Sequence, residues 1–305
     1  MADDRDPRRD DDELEAPSRR EFIWAGGLAV AAGALGGCAH KKPRPTPTSA
    51  PTSAPASAPA SAPAKKGNIQ RYSALGRTGF KVSDISLGCG GVSEADIVRY
   101  AYDKGVNLFD TAEGYGGGDS ERAIGAAMKH LDRDKIFIVS KLVLKPRESE
   151  RSILARFARC LERLKTSRID ALYMHAIKDV RMIKHAGYHS AVKTLKAAGT
   201  LKHAGISAHG PRGRGDSMAK VLLTAIEDGR FDVMLLVHNF LNAEEGGKVL
   251  EACKKKNVGA TLMKTAPATL KSVTFDPKNP TERQARWLAG LKKRGMSRRK
   301  AIAYI

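Results

Sequence analysis

Phe109-Asp110-Thr111-Ala112-Glu113-Gly114-Tyr115-Gly116-Gly117-Gly118-Asp119-Ser120-Glu121 is the stretch whose reading decides the fold. An apolar run over 106–110 reads as a strand that ends on an aspartate. A glycine-rich loop follows, and apolar residues then return at helical spacing (Ala123, Ala127, Leu131), predicting a helix over 120–130. The same alternation extends outward in both directions. Strands are predicted at 84–88, 135–141, 169–175, 202–207, 232–237 and 258–264. Helices are predicted at 94–104, 152–164, 189–198, 218–228 and 246–256, with further helical material in 281–305. A short hairpin is predicted over 72–82, turning at Gly76-Arg77-Thr78-Gly79.

Seven strand–helix repeats with short apolar strands argue for an α/β fold with a parallel sheet. A doubly wound dinucleotide fold would carry a glycine-rich phosphate loop after its first strand, and Gly88-Cys89-Gly90-Gly91 lacks that spacing. The count suits a (β/α)8 TIM-type barrel short of its eighth β/α unit.

The chain has 305 residues with 53 Lys+Arg against 33 Asp+Glu, and 42% hydrophobic residues, enough for a core. Charge is uneven: a net of −5 over 1–17, +6 over 18–67 and +19 beyond. A basic folded part favours anionic ligands or surfaces. The 6% aromatic content and the lack of any zinc-finger, RNA-binding or helix-turn-helix signature argue against specific nucleic-acid recognition.

Three domains are expected: 1–38, 39–67 and 68–305. In the first, Ser18-Arg19-Arg20-Glu21-Phe22-Ile23 precedes a 17-residue uncharged, Gly/Ala-heavy run ending at Cys38. This resembles a twin-arginine export signal, and the run is short for a bilayer span. Leu35-Gly36-Gly37-Cys38 resembles a bacterial lipobox, which implies lipidation of Cys38. Residues 43–64 form a Pro/Ala/Ser/Thr tract that cannot bury enough apolar surface to fold. It reads as a stalk on a protein exported to the bacterial envelope, lipid-anchored to a membrane and facing the periplasm. The remaining cysteines, Cys89, Cys160 and Cys253, read as free core residues rather than a disulfide framework.

The stretch 109–121 resembles the aldo-keto reductase signature, and the resemblance runs over about 72–264. Supporting pieces are Leu75-Gly76-Arg77-Thr78-Gly79, Val139-Ser140-Lys141, Leu161-Glu162-Arg163-Leu164 leading to residues 170–175, and Gly205-Ile206-Ser207. It implies a catalytic tetrad of Asp110, Tyr115, Lys141 and His175. Physical chemistry supports that set independently. Asp110, Lys141 and His175 end successive predicted strands, and Tyr115 lies in the loop after the first of them, so a barrel brings all four to one rim. A phenol is a reluctant acid at neutral pH unless a cation stands beside it. Taken singly, each has a plainer alternative: Asp110 as a cap, Tyr115 as a loop aromatic, Lys141 as a solvated strand end and His175 as a core histidine. The other histidines show no metal-ligand spacing, and no metal is expected.

The resemblance further implies an NADP(H)- or NAD(H)-dependent oxidoreductase acting on a small carbonyl substrate. Ser207, Asn239 and Lys264 occupy or neighbour the positions that would contact the nicotinamide cofactor. Departures from the family pattern are Ala208 where an Asn is usual, no Gln on the sixth strand, and Met263-Lys264 where a stacking Tyr is common. The alternative reading is a non-catalytic, envelope-tethered binding or scaffold module. The end at Ile305, ahead of an eighth unit, leaves three expectations: a fragment, a truncated product, or a barrel completed by a protein partner.

Overall fold

The computed structural model describes residues 69–211, 213–239, 242–265, 282–293 and 295. The expected export signal, Cys38 and the Pro/Ala tract lie outside the described residues. An antiparallel hairpin, β1 (Tyr72–Ala74) and β2 (Lys81–Ser83), comes first. Seven parallel strands follow in chain order: β3 (Leu87–Gly88), β4 (Leu108–Asp110), β5 (Phe137–Leu142), β6 (Ile169–Met174), β7 (Leu201–Ala208), β8 (Val233–Val237) and β9 (Gly259–Met263). Six helices connect them: α1 (Ala95–Asp103), α2 (Asp119–Ala127), α3 (Glu150–Leu164), α4 (Ala186–Ala197), α5 (Met218–Asp228) and α6 (Ala243–Lys255). A seventh, α7, spans Glu282–Lys293. Among the described residues, strands pair only with their sequence neighbours, as in a TIM-type barrel lacking a unit.

Every residue of β5 and β6 is buried, the mark of parallel strands covered on both faces. Leu108, Phe137, Val139, Ala171, Tyr173, Val233 and Leu235 fill the concave side together with Leu75 and Val82 of the hairpin. The hairpin plugs the N-terminal end of the sheet. Ser83 N–H donates to the Asn107 side chain ahead of β4 (2.7 Å), while Arg77 bonds Asp232 and the Phe231 carbonyl (2.7 Å) ahead of β8. Strands far apart in the order thus meet one plug, so the sheet is curled. Gly205 admits the Tyr173 ring, which a Cβ at that position would overlap.

Several element ends differ from the sequence expectation. The first parallel strand is only Leu87–Gly88, because Asp84 N–H bonds the Arg71 carbonyl and Ser83 Oγ bonds that of Ile85, bending the chain. Helix α4 starts at Ala186 rather than 189, since the His185 ring accepts from Tyr188 N–H as an N-cap. Helix α6 starts at Ala243 rather than 246, and α3 at Glu150, capped by Ser149. Helix α2 stops at Ala127 and passes into a tighter turn, Met128–His130. His175 lies one residue beyond β6. Cys89, Cys160 and Cys253 are free and buried. No described helix is long and apolar enough to cross a membrane.

Candidate active site

Register places the candidate residues at the C-terminal rim. Asp110 pairs with Val139 across β4 and β5, and Lys141 pairs with Tyr173 across β5 and β6. The Lys141 side chain has no exposed surface and ends against Asp110, with which it forms an ion pair and hydrogen bond. Lys141 Nζ also donates to the Thr111 carbonyl (2.7 Å) and stands 4.9 Å from the centre of the Tyr115 ring. Tyr115 meets His175 edge to face, with ring centres 5.6 Å apart at 81°. All four expected residues therefore converge.

The loop that carries Tyr115 has a reason for its glycines. Gly116, Gly117 and Gly118 all have positive φ (58°, 61° and 95°), a conformation costly for residues with a Cβ. They fold the loop back into α2, where Thr111 and Ser120 share a buried hydroxyl–hydroxyl bond of 2.6 Å.

Burial pushes the Asp110 carboxyl above its ordinary range, and the Lys141 ammonium pulls against that rise. His175 is driven down to about 4, first by burial, then by the Lys141 charge and by His209. It is therefore neutral at physiological pH and offers a ring N–H without carrying charge. Burial pushes the Cys89 thiol, beside Asp110, up to about 12, so it stays protonated.

The three residues expected at a cofactor sit differently. Ser207 is fully buried at the end of β7, and its Oγ accepts from Ala176 N–H (2.9 Å). Its carbonyl accepts from Ile177 N–H (2.8 Å), so Ser207 grips the turn just past His175. Ala176 itself holds φ +55°. Asn239 donates its side-chain amide to the Lys264 carbonyl (3.0 Å), tying the end of β8 to that of β9. Lys264 is exposed on the rim with φ +55°. Among the described residues, no three His, Cys, Asp or Glu side chains converge as a metal would need.

Sequence reasoning missed Glu113, Arg156 and Glu148, an ion network on the rim beside Tyr115. Arg156 contacts a glutamate 43 positions away, and only strand order brings the two together. No local motif announces such a pair.

A model of the "Aldo/keto reductase family" matches residues 91–286, more than half of the chain. The "Probable aldo-keto reductase 1" of Glycine max is 30% identical over 156 residues, covering 45% of this chain and 44% of that protein. The "L-galactose dehydrogenase" of Arabidopsis thaliana is 30% identical over 203 residues, covering 61% and 62%. The chain thus spans less than two thirds of the length of either relative. A solved structure, "Putative aldo-keto reductase from Pseudomona aeruginosa", has a TM-score of 0.56 at 25% identity, covering 68% of this chain and 81% of that one. The converging tetrad, the chain-order parallel sheet and the family match over 91–286 agree, and the chain belongs to the aldo/keto reductase family.

Proposed function

We propose that the chain is an NADP(H)-dependent oxidoreductase that reduces an aldehyde or ketone, or oxidises the corresponding alcohol, with Tyr115 as general acid. The observation that carries this reading is Lys141, buried between Asp110 and the Tyr115 ring. The Lys141 positive charge favours the phenolate that Tyr115 leaves behind when it gives its proton to the carbonyl oxygen. Asp110 keeps that charge in place by pairing with it. Neutral His175, at the edge of the Tyr115 ring, donates a hydrogen bond to the same oxygen as negative charge develops there. In the oxidising direction the phenol oxygen receives the alcohol proton.

A nicotinamide nucleotide, when bound, supplies or accepts the hydride. Exposed Lys178, Arg214 and Lys264 on the rim loops offer positive charge to its phosphates, while Ser207 and Asn239, buried and bonded to backbone groups of neighbouring turns, hold the strand ends that would frame it. NADPH is favoured over NADH because one more phosphate meets the same basic rim. Relatives named "D-threo-aldose 1-dehydrogenase" and "D-arabinose 1-dehydrogenase" suit sugar-like hydroxyaldehydes as first substrates to screen.

The same reading places the protein in the bacterial envelope, exported through the arginine pair and anchored to a membrane by lipid on Cys38. Its support is the order of motifs in residues 18–64. Lipid labelling that persists in Cys38→Ala would remove the anchor from this reading.

Calorimetric titration of NADPH and of NADH, followed by turnover on a panel of aldehydes and ketones, tests the function. Binding with preference for NADPH and nucleotide-dependent turnover are expected. A folded chain that binds neither nucleotide overturns the reading.

A further inference from the structure

The loop over 112–118 places Tyr115 yet holds four glycines, three of them consecutive at positive φ. Inside the loop Tyr115 N–H bonds the Ala112 carbonyl (3.1 Å), and side-chain anchors fix its two ends. At the far end, Arg122 donates to the Gly117 carbonyl (3.0 Å). At the near end the anchor is Glu113, two residues before Tyr115. Its backbone N–H bonds the Lys141 carbonyl (3.2 Å), and its carboxylate is forked by Arg156 of α3.

Arg156 uses its whole guanidinium on the rim. Nε and Nη2 take the two oxygens of Glu113. Nη1 takes both oxygens of Glu148 (2.7 and 2.8 Å), and Nη2 also reaches the Val143 carbonyl (2.9 Å). Only an arginine presents so many donors in one fixed plane. Burial works to raise the Glu148 carboxyl, but hydrogen bonds from Arg156, Ser152 and the Lys145 backbone outweigh it and hold it below its ordinary range. Glu148 therefore stays charged and keeps Arg156 aimed. The fork joins the loop ahead of Tyr115 to the segment just past Lys141.

We propose that Arg156, through Glu113, is a positioning residue that sets the Tyr115 phenol against the Lys141 ammonium. This inference rests on the proposed function for its kinetic consequence, but its structural consequence can be read without turnover. A misplacement of about 1 Å at a reacting group can cost about 100-fold in rate. In Arg156→Gln and in Glu113→Ala, kcat should fall about 10- to 100-fold, with substrate KM and nucleotide Kd within about twofold of the parent.

Carbon-13 NMR of ζ-labelled tyrosine in the full chain gives the second readout, with Tyr115 assigned by its loss in Tyr115→Phe. A single Tyr115 resonance is expected in the parent, and a moved or split one in both variants. Should Arg156→Gln fail to fold, Glu113→Ala, a loop substitution on the other half of the contact, carries the test alone. An unchanged Tyr115 resonance in a folded variant overturns the proposal, as does an unchanged kcat in an active enzyme. A changed resonance in a chain without turnover sinks the proposed function and leaves the positioning contact standing.

Discussion

The Lys141 ammonium stands 4.9 Å from the centre of the Tyr115 ring, at the tip of a side chain with no surface exposed to water. A buried ammonium is costly unless paired, and here the Asp110 carboxylate and the Thr111 carbonyl pair it. Asp110 and Lys141 are 31 positions apart and meet because β4 and β5 are adjacent and parallel. Asp110 thus stabilises the charge that stands against the Tyr115 ring.

Tyr115→Phe keeps the ring and its edge contact with His175 and removes only the proton donor. The turnover rate should fall by about 10²- to 10⁴-fold, the usual contribution of a positioned general acid. Calorimetry should show nucleotide affinity nearly unchanged. A rate within threefold of the parent would assign the proton to another group.

Lys141→Met leaves the Asp110 carboxyl buried without its cation, so its pKa should climb further above the unfolded value. A raised pKa means that the folded state takes up a proton that the unfolded state gives up. The variant should therefore be most stable at low pH and lose stability as pH rises through the carboxylate range. Breaking a buried pair by removing one partner costs about 3–5 kcal/mol near neutrality. Urea denaturation at pH 4 and pH 7 checks this: a gap from the parent that does not widen with pH contradicts it.

His175 behaves oppositely. Its pKa falls to about 4 on folding, so protons bind the unfolded chain more tightly. The stability it confers is complete above its unfolded pKa near 6.5 and is lost as pH falls toward 4. Water reaches part of the ring, so the loss should be roughly 2 kcal/mol. His175→Asn should show a flatter stability profile between pH 6.5 and 4 than the parent. Identical profiles would mean that the ring is not held neutral by its surroundings.

Ser207→Ala removes the hydroxyl that accepts from Ala176 N–H. The expected cost is about 1 kcal/mol in urea denaturation, with a lower kcat as the turn beyond His175 loosens. The histidine Cε1–H resonance of His175 should shift in proton NMR. A variant that loses only nucleotide affinity, with that resonance in place, would return Ser207 to a purely cofactor-contacting role.

Local periodicity makes the element sequence legible, because burial repeats every two residues in a strand and about every 3.6 in a helix. Strands β5 and β6 and the apolar face of α3 were readable on that ground, and Asp110, Lys141 and His175 stood at predicted strand ends with Tyr115 in the loop after the first. In α3, Cys160 and not Leu161 joins Ile153, Phe157 and Leu164 in the core, because position 160 falls within their arc and position 161 lies about 100° further around the helix. Helix starts were less legible: the His185 cap of α4 is a ring nitrogen in an unusual role, and the need for Gly187 in its first turn comes from the close approach of the Glu148 carbonyl, which a Cβ would overlap.

By itself the sequence determined the alternating α/β order, the hairpin, and which side chains could donate, accept or carry charge. Only the tertiary structure decided what they touch. Strand order brought Asp110 to Lys141, the curl of the sheet set Tyr115 against His175, and Arg156 found Glu113 across the rim. It also gave Ser207 and Asn239 partners in neighbouring turns and strand ends. The reason is physical: backbone propensity and apolar period act over a few residues, whereas ion pairs and hydrogen bonds depend on distances that exist only once the strands have packed.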